Sequence, residues 1–369
     1  MTNPYLNLIT TGNPWDDSYW NKTPKQEQPK RVLLTGIAGS IGIHVFAHIM
    51  HNTDWQVVGI GSFRHKGLVD RIALTLADHP DWAPRLNMVT HDISAPISPL
   101  TREKIGHIDY VINLASLSDV EDSIHNPDSF IRNNVALMIN MLEYAKEAKP
   151  EKFIQFSTDE VYGPTTGKDD GYKEWAPQVP SNPYAASKAC QEMICIAYWR
   201  TYNVPVVITN TMNNFGEMQQ PFKYPVMIQK AIAAGEEITI HGNENGDIGS
   251  RSYIHSRNAA DALLFILKQP VYMHKAGQAD VPDRYNIAGD KQLDNLELAQ
   301  LIAKLMGKEL KYKLTNFHQT RPGHDPHYGL DNTKLEKMGW KSPVSFEDSL
   351  RETIKWQQEH PEWISRKHI

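Results

Sequence analysis

Cysteine is nearly missing from this sequence. Cys190 and Cys195 are the two present, and on an expected helix that spacing turns them to different faces, which excludes a disulfide framework and a cysteine-based zinc site. No metal is expected anywhere in the chain. Long apolar runs are missing too: nothing reaches membrane-spanning length, and the first residues lack the charged-then-apolar pattern of a secretory signal. The expectation is a soluble protein of a reducing, cytoplasmic compartment that does not associate with membranes. Nor is there a large excess of one charge. A net charge of -5 and a pI near 6.3 give no general attraction to nucleic acid, so anionic small molecules need local cations. Internal repeats and low-complexity tracts are absent.

What remains is ordinary globular composition, 40% apolar and 22% charged over 369 residues, enough for one large or two medium domains. Residues 1–29 read as a polar N-terminal extension. From Arg31 onward, short apolar strands (Val32-Leu33-Leu34, Gln56 to Ile60, Met88 to Thr90, Tyr110 to Leu114, Phe153 to Phe156, Val206 to Thr209) alternate with helical runs, among them 127–149 and 184–202. That alternation predicts an α/β fold: a Rossmann doubly wound parallel sheet over 30–210. The irregular, proline- and glycine-containing spacing of 211–369 predicts a smaller substrate-binding lobe, with segments returning to the sheet.

Gly36, Gly39 and Gly42 directly follow the first strand and open a helix. Glycines there let the backbone turn tightly against a pyrophosphate, and the helix N-terminus supplies free N–H groups; Ser40 and Ile41 sit in the same turn. An acidic residue that binds the adenine ribose ordinarily ends the second strand. Here Gly61 stands there, followed by Ser62, Phe63, Arg64, His65 and Lys66. Cations without a carboxylate tolerate a 2′-phosphate, which favours NADP over NAD.

Ser157-Thr158-Asp159-Glu160-Val161-Tyr162-Gly163 ends a buried strand, where parallel-sheet active sites open. Tyr184 and Lys188 share one face of the helix that follows. A nearby ammonium should lower the tyrosine pKa and make the phenol a usable base for a sugar hydroxyl.

On these motifs, together with Asn182 to Lys188 (NPYAASK), Asn213 to Gly216 and Arg321 to Asp325 (RPGHD), the chain resembles the extended short-chain dehydrogenase/reductase family. Within it, the sequence is most similar to the dTDP-glucose 4,6-dehydratases, from about Arg31 to Trp356. The resemblance implies an NDP-hexose 4,6-dehydratase with a tightly bound nicotinamide cofactor. C4 of the hexose is oxidised, Glu160 removes the C5 proton, Asp159 protonates the departing C6 hydroxyl, and hydride returns to C6 to give a 4-keto-6-deoxy sugar. Neighbouring carboxyls raise one another's pKa, which suits one proton divided between acid and base roles. Thr158 would bond the C4 oxygen beside Tyr184.

The resemblance also implies cofactor contacts at Asp92 and Ile93, at Leu114, Ala115 and Ser116 under the nicotinamide ribose, and at the buried Asn134. Substrate contacts are implied at Ser118, Asn213 or Asn214, Lys223, His241, Arg251, Arg321 and His324, the arginines neutralising the diphosphate. Pro221 to Tyr224 and His241-Gly242 depart from the dTDP-binding pattern, so dTDP, UDP and GDP stay open as carriers. The helices at 127–149 and 184–202 correspond to a four-helix dimer bundle, with Ile139, Leu142 and Met193 among the apolar residues that face either a partner or the protomer core. A 4-epimerase or decarboxylase of the same family needs no Asp159–Glu160 pair. A non-catalytic nucleotide-sugar scaffold would need none of the cluster.

Overall fold

The alternation of strands and helices is realised as one seven-stranded sheet. The computed structural model describes residues 29–64, 68–167, 171–242, 248–271, 273–276, 278–316 and 327–364. In the first half, β1 (Arg31–Thr35), β2 (Gln56–Gly61), β3 (Leu86–Thr90), β4 (Tyr110–Asn113), β5 (Lys152–Thr158) and β6 (Val206–Thr211) alternate with helices. These are α1 (Ser40–Asn52), α2 (Leu68–Asp78), α3 (Pro99–Ile105), α4 (Val120–His125), α5 (Pro127–Ala148) and α6 (Pro183–Tyr202). The second half begins with β7 (Asn213–Phe215), α7 (Tyr224–Ala234), β8 (Glu237–Gly242), β9 (Ser250–His255), α8 (Ser256–Lys268), β10 (His274–Ala276) and β11 (Ala279–Val281). It continues through β12 (Asp283–Ile287), β13 (Gln292–Asp294), α9 (Asn295–Met306), β14 (Lys311–Asn316), α10 (Thr333–Lys337), α11 (Phe346–Glu359) and α12 (Pro361–Ile364).

The main sheet runs β12-β6-β5-β4-β1-β2-β3 and every pairing in it is parallel. Strand order reverses between β1 and β4, the switch point at which such sheets open a ligand crevice beyond the strands' carboxyl ends. Period-two alternation divides β1 between two cores. Val32 and Leu34 pack with Phe46 and Leu263 under α1 and α8, while Leu33 packs with Met138, Leu142 and Cys195 under α5 and α6. Burial on both faces explains why the central strands read as unbroken apolar runs. Leu142 therefore belongs to the protomer's own core and is no candidate for a dimer face.

The second half builds a lobe in which α7, α9 and α11 bury Ile228, Ile302 and Ile354 against β8 and β9. β12 leaves it and pairs with β6 in the main sheet. Among the described residues no helix is long and apolar enough to cross a membrane.

Sheet and lobe are tied by a buried polar knot. His44 on α1 and His255 at the start of α8 flank Glu217, at 3.5 and 3.3 Å respectively, and Arg257 is buried beside them. The ligating atoms of His44, Glu217 and His255 lie within 4.8 Å of one another, close enough to suggest a metal centre. The hydrogen bonding argues otherwise. His255 Nδ1 accepts the Arg257 backbone N–H at 3.1 Å, so the ring proton sits on Nε2, the nitrogen that faces Glu217, and a protonated nitrogen cannot ligate.

Burial lowers His44 to about 3, whereas the imidazoles and Arg257 hold Glu217 far below the usual carboxylate range despite burial. Both effects weaken the fold in acid. The unfolded chain protonates His44 below its ordinary value of about 6.5 while the folded ring resists, and Glu217 must be protonated to unfold the knot. Glu217→Ala leaves Arg257 buried without its carboxylate and should cost about 3 kcal/mol, read as a lower urea midpoint with unchanged slope.

Candidate active site

At the switch point, the backbone of the first turn dictates its glycines. Gly36 has φ +68°, and a Cβ on it would stand 3.0 Å from the Ala115 amide nitrogen. A Cβ on Gly42 would meet the Gly36 carbonyl oxygen at 2.0 Å. Gly39 starts α1 with no side-chain cap, which leaves the helix's first N–H groups for an anion. Ser40 and Ile41 occupy this first turn, partly exposed.

Thr35 Oγ1 accepts from the amides of Leu114 and Ala115 at 3.0 and 2.9 Å, drawing the loop after β4 against Gly36. Asn134, fully buried, braces the same loop from behind. It accepts from the Leu117 amide at 2.9 Å and donates to the Leu117 carbonyl at 3.0 Å and to Ser187 Oγ at 2.8 Å. Ser116 Oγ donates to the Leu117 carbonyl at 2.9 Å, and Ser118 is exposed. At the outer end of the crevice, Arg64 pairs with Asp92 at 3.0 Å. Ser94 and then Arg64 hold that carboxyl below its usual range. Ser62 and Ile93 lie alongside, and Asn140 bonds the Ile93 carbonyl at 3.1 Å. His65 and Lys66 lie outside the described residues. A capless helix start, a turn too tight for any Cβ and a braced loop beside it fit a dinucleotide.

The chemistry-bearing cluster lies one strand over. β5 ends at Thr158 and runs into a short 3-10 turn, Asp159–Tyr162. Thr158 Oγ1 donates to Asp159 Oδ1 at 3.0 Å. Burial, and next the charge of Glu160, push Asp159 up to about 7. Its Oδ2 is buried without a hydrogen-bond partner among the described residues. Tyr184 is hydrogen-bonded to Thr158 and feels the charges of both Glu160 and Asp159.

The phenol is pushed up, contrary to the expectation from the Tyr-Lys pair. Burial, Glu160 and Asp159 outweigh the Thr158 hydrogen bond, and the Lys188 Nζ is turned to the Phe156 carbonyl, to which it donates at 2.6 Å. Burial lowers Lys188 to about 8, opposed by Glu192. Glu192 is itself enclosed: Arg284 Nη2 approaches at 2.5 Å, Asn210 Nδ2 at 2.8 Å, and Gln178 donates to it as well. Glu192 could have been read from its place four residues past Lys188 on the same helix face. Arg284 and Gln178 had no local signal.

The expected substrate residues fall into separate groups. Arg251 on β9 donates to the Ser250 carbonyl at 2.7 Å, lies 4.5 Å over the Tyr328 ring, and its charge reaches Asp159. Lys223, at the start of α7, pairs at 3.6 Å with Asp119, which caps α4. Asn213 is exposed, whereas Asn214 turns inward and donates to Thr211 Oγ1 at 3.2 Å and the Met212 carbonyl at 2.9 Å. His241 lines a different space, a cavity of about 390 Å³ with Tyr224, Met227, Lys230, Ala231 and Thr239, and none of its lining residues belongs to the Asp159–Tyr184 cluster. Arg321 and His324 lie outside the described residues.

A doubly wound sheet with a dinucleotide turn and a Thr-Asp-Glu/Tyr-Lys cluster defines a Rossmann-type enzyme of the extended short-chain dehydrogenase/reductase class. Residues 33–353 match the GDP-mannose 4,6 dehydratase family, and the chain belongs to that family. It is 31% identical over 360 residues to a dTDP-glucose 4,6-dehydratase of Neisseria meningitidis, covering 90% of this chain and 95% of the relative. It is 33% identical over 324 residues to the low-salt glycan biosynthesis protein Agl12 of Haloferax volcanii, covering 88% and 97%. Among solved structures, DesIV, a dTDP-glucose 4,6-dehydratase from Streptomyces venezuelae with NAD and TYD bound, superposes with a TM-score of 0.78 at 29% identity, covering 91% of this chain and 99% of that one.

The raised Asp159 makes a stability prediction. The folded state keeps a proton that the unfolded chain releases between about pH 4 and 7, so the penalty is absent below that window and complete above it. Asp159→Asn should therefore stabilise the protein by on the order of 3 kcal/mol at pH 8 and by nothing measurable at pH 3.5. Equal unfolding midpoints for variant and wild type at pH 8 would contradict the assigned burial.

Proposed function

We propose that this chain is an NDP-hexose 4,6-dehydratase that converts a nucleotide-activated, glucose-like hexose to its 4-keto-6-deoxy form. A single observation carries the reading: a buried carboxyl pushed up to about 7, Asp159, and a second carboxyl, Glu160, meet the Tyr184 phenol at one corner of the crevice. An epimerase or decarboxylase has no use for that pair.

The Gly36–Gly42 turn, the 114–116 loop and Asn134 would hold a nicotinamide cofactor, which when bound would accept hydride from C4 and return it to C6. The protein's own groups handle the protons. Tyr184 takes the proton of the C4 hydroxyl only as phenolate, the form that burial, Glu160 and Asp159 disfavour and that a cation beside the ring would favour; Thr158 steadies the oxygen left behind. With C4 a ketone, the C5 proton is acidic; Glu160 removes it while Asp159 donates to the C6 hydroxyl, which leaves as water. Arg251, within electrostatic reach of Asp159, Lys223 and Arg321 are assigned to the diphosphate.

Finer assignments follow the same reasoning. NADP stands ahead of NAD because β2 ends at Gly61 and the Arg64 guanidinium, paired with Asp92 through one nitrogen, keeps donors for a 2′-phosphate. Mass analysis of cofactor released from the purified protein tests this. A homodimer through α5 and α6 is supported by Ile139 and Met193, 39% and 49% exposed. A reducing, cytoplasmic setting suits the free thiols Cys190 and Cys195.

Purified protein given dTDP-glucose or UDP-glucose should form the alkali-sensitive chromophore of a 4-keto-6-deoxy sugar, whereas an epimerase yields none. Glu160→Gln should slow solvent deuterium entry at C5 by at least about a hundredfold while nicotinamide reduction by substrate persists. Normal C5 exchange in that variant removes Glu160 from the role of base.

A further inference from the structure

Two adjacent carboxyls need a third group to decide which keeps the proton. We infer that Asn182 is the positioning residue that fixes Glu160 as the base and leaves Asp159 as the acid, an assignment that rests on the dehydratase reading. Asn182 precedes the helix that carries Tyr184 and Lys188, and it is buried. Its Oδ1 accepts the Ala185 backbone N–H at 2.8 Å, capping α6. Its Nδ2 donates to Glu160 Oε2 at 3.0 Å.

The orientation of the amide is forced. The Ala185 N–H can only donate, so the oxygen must turn to the helix and the NH2 group to Glu160. An amide N–H in turn can only donate, so it favours the ionised form of the carboxyl it touches. Asp159 gets no such help on Oδ2, and the hydrogen bonds its carboxyl does receive, from the Thr158 hydroxyl and its own backbone N–H, are outweighed by burial. Through one side chain, the start of the Tyr-Lys helix and the base are held in fixed relation. Among the described residues, the charged and titratable groups that face this corner include Asp159 on the same turn, Tyr184 on α6 and Arg251 on β9.

A plain helix cap would behave differently from a positioning residue, and Asn182→Asp separates the two. Aspartate caps as well as asparagine, so the unfolding midpoint should stay at the wild-type value. It loses the NH2 donor and adds a negative charge beside Glu160, so the acid limb of the C5-exchange rate should move up by about one pH unit. On the acid side of the wild-type limb, exchange on dTDP-glucose or UDP-glucose should fall about tenfold and recover at higher pH, while nicotinamide reduction stays within about twofold of wild type.

Asn182→Ser keeps a capping oxygen too short to reach Glu160, and should shift the limb in the same direction by less. It also serves if the aspartate variant fails to fold. Wild-type acid limbs in either folded variant, with a wild-type enzyme that makes the 4-keto-6-deoxy product, overturn the inference alone. A wild-type enzyme that makes no such product from either nucleotide sugar overturns the dehydratase reading, and the inference with it.

Discussion

Burying Asp159 next to Glu160 sets two acidic groups against a phenol where little water can screen them. In that setting both cannot be charged at modest expense, and Asp159, the more deeply buried, holds its proton to about 7. The surrounding architecture serves that inequality. β5 delivers Thr158 and the acidic turn at its carboxyl end, and α6 begins at Asn182 so that its cap and Glu160 share one side chain. β9 brings Arg251 within electrostatic range from the lobe. The same inequality weakens the fold progressively from about pH 4 and fully above about pH 7, a local loss of the kind that active sites carry where chemistry requires it.

Beneath the reacting corner, a second buried set keeps the catalytic helix in place. Glu192 balances Arg284 from β12 and lies close enough to Lys188 to oppose the effect of burial on the ammonium. The chain runs through the lobe and returns to the main sheet as β12, which thus brings Arg284 to the buried carboxylate of Glu192. The His44–Glu217–His255 knot does comparable work at the dinucleotide end, joining the helix behind the glycine turn to the start of α8. Both knots are buried polar networks, Glu192 paired with Arg284 and Glu217 set between two imidazoles near Arg257, and each is costly to break singly. They fix the crevice walls against each other without occupying the crevice.

Much of this was legible in residue order. Strand alternation, the Gly36–Gly39–Gly42 turn, Thr158-Asp159-Glu160 and the Tyr184–Lys188 spacing are local patterns, and local patterns survive without knowledge of the fold. The expected acidification of Tyr184 by Lys188 did not hold, because helix spacing gives proximity along one face but not the balance of burial and carboxylate charge around the phenol. Leu142 could face a partner or the core until the second face of the sheet was seen to claim it. His241, where the sequence departs from the dTDP-binding pattern, lines a cavity whose residues do not include the Asp159–Tyr184 cluster, a placement no local pattern specifies.

Sequence by itself determined the parallel doubly wound sheet, the anion-binding turn and the identity of the groups that can move protons, since each depends on chain geometry over a few residues. Tertiary structure decided how deeply each carboxyl of the pair is buried, which cation balances Glu192, and that Arg64 pairs with Asp92. Those outcomes depend on desolvation and on partners far away in the chain, quantities that exist only once the core has closed.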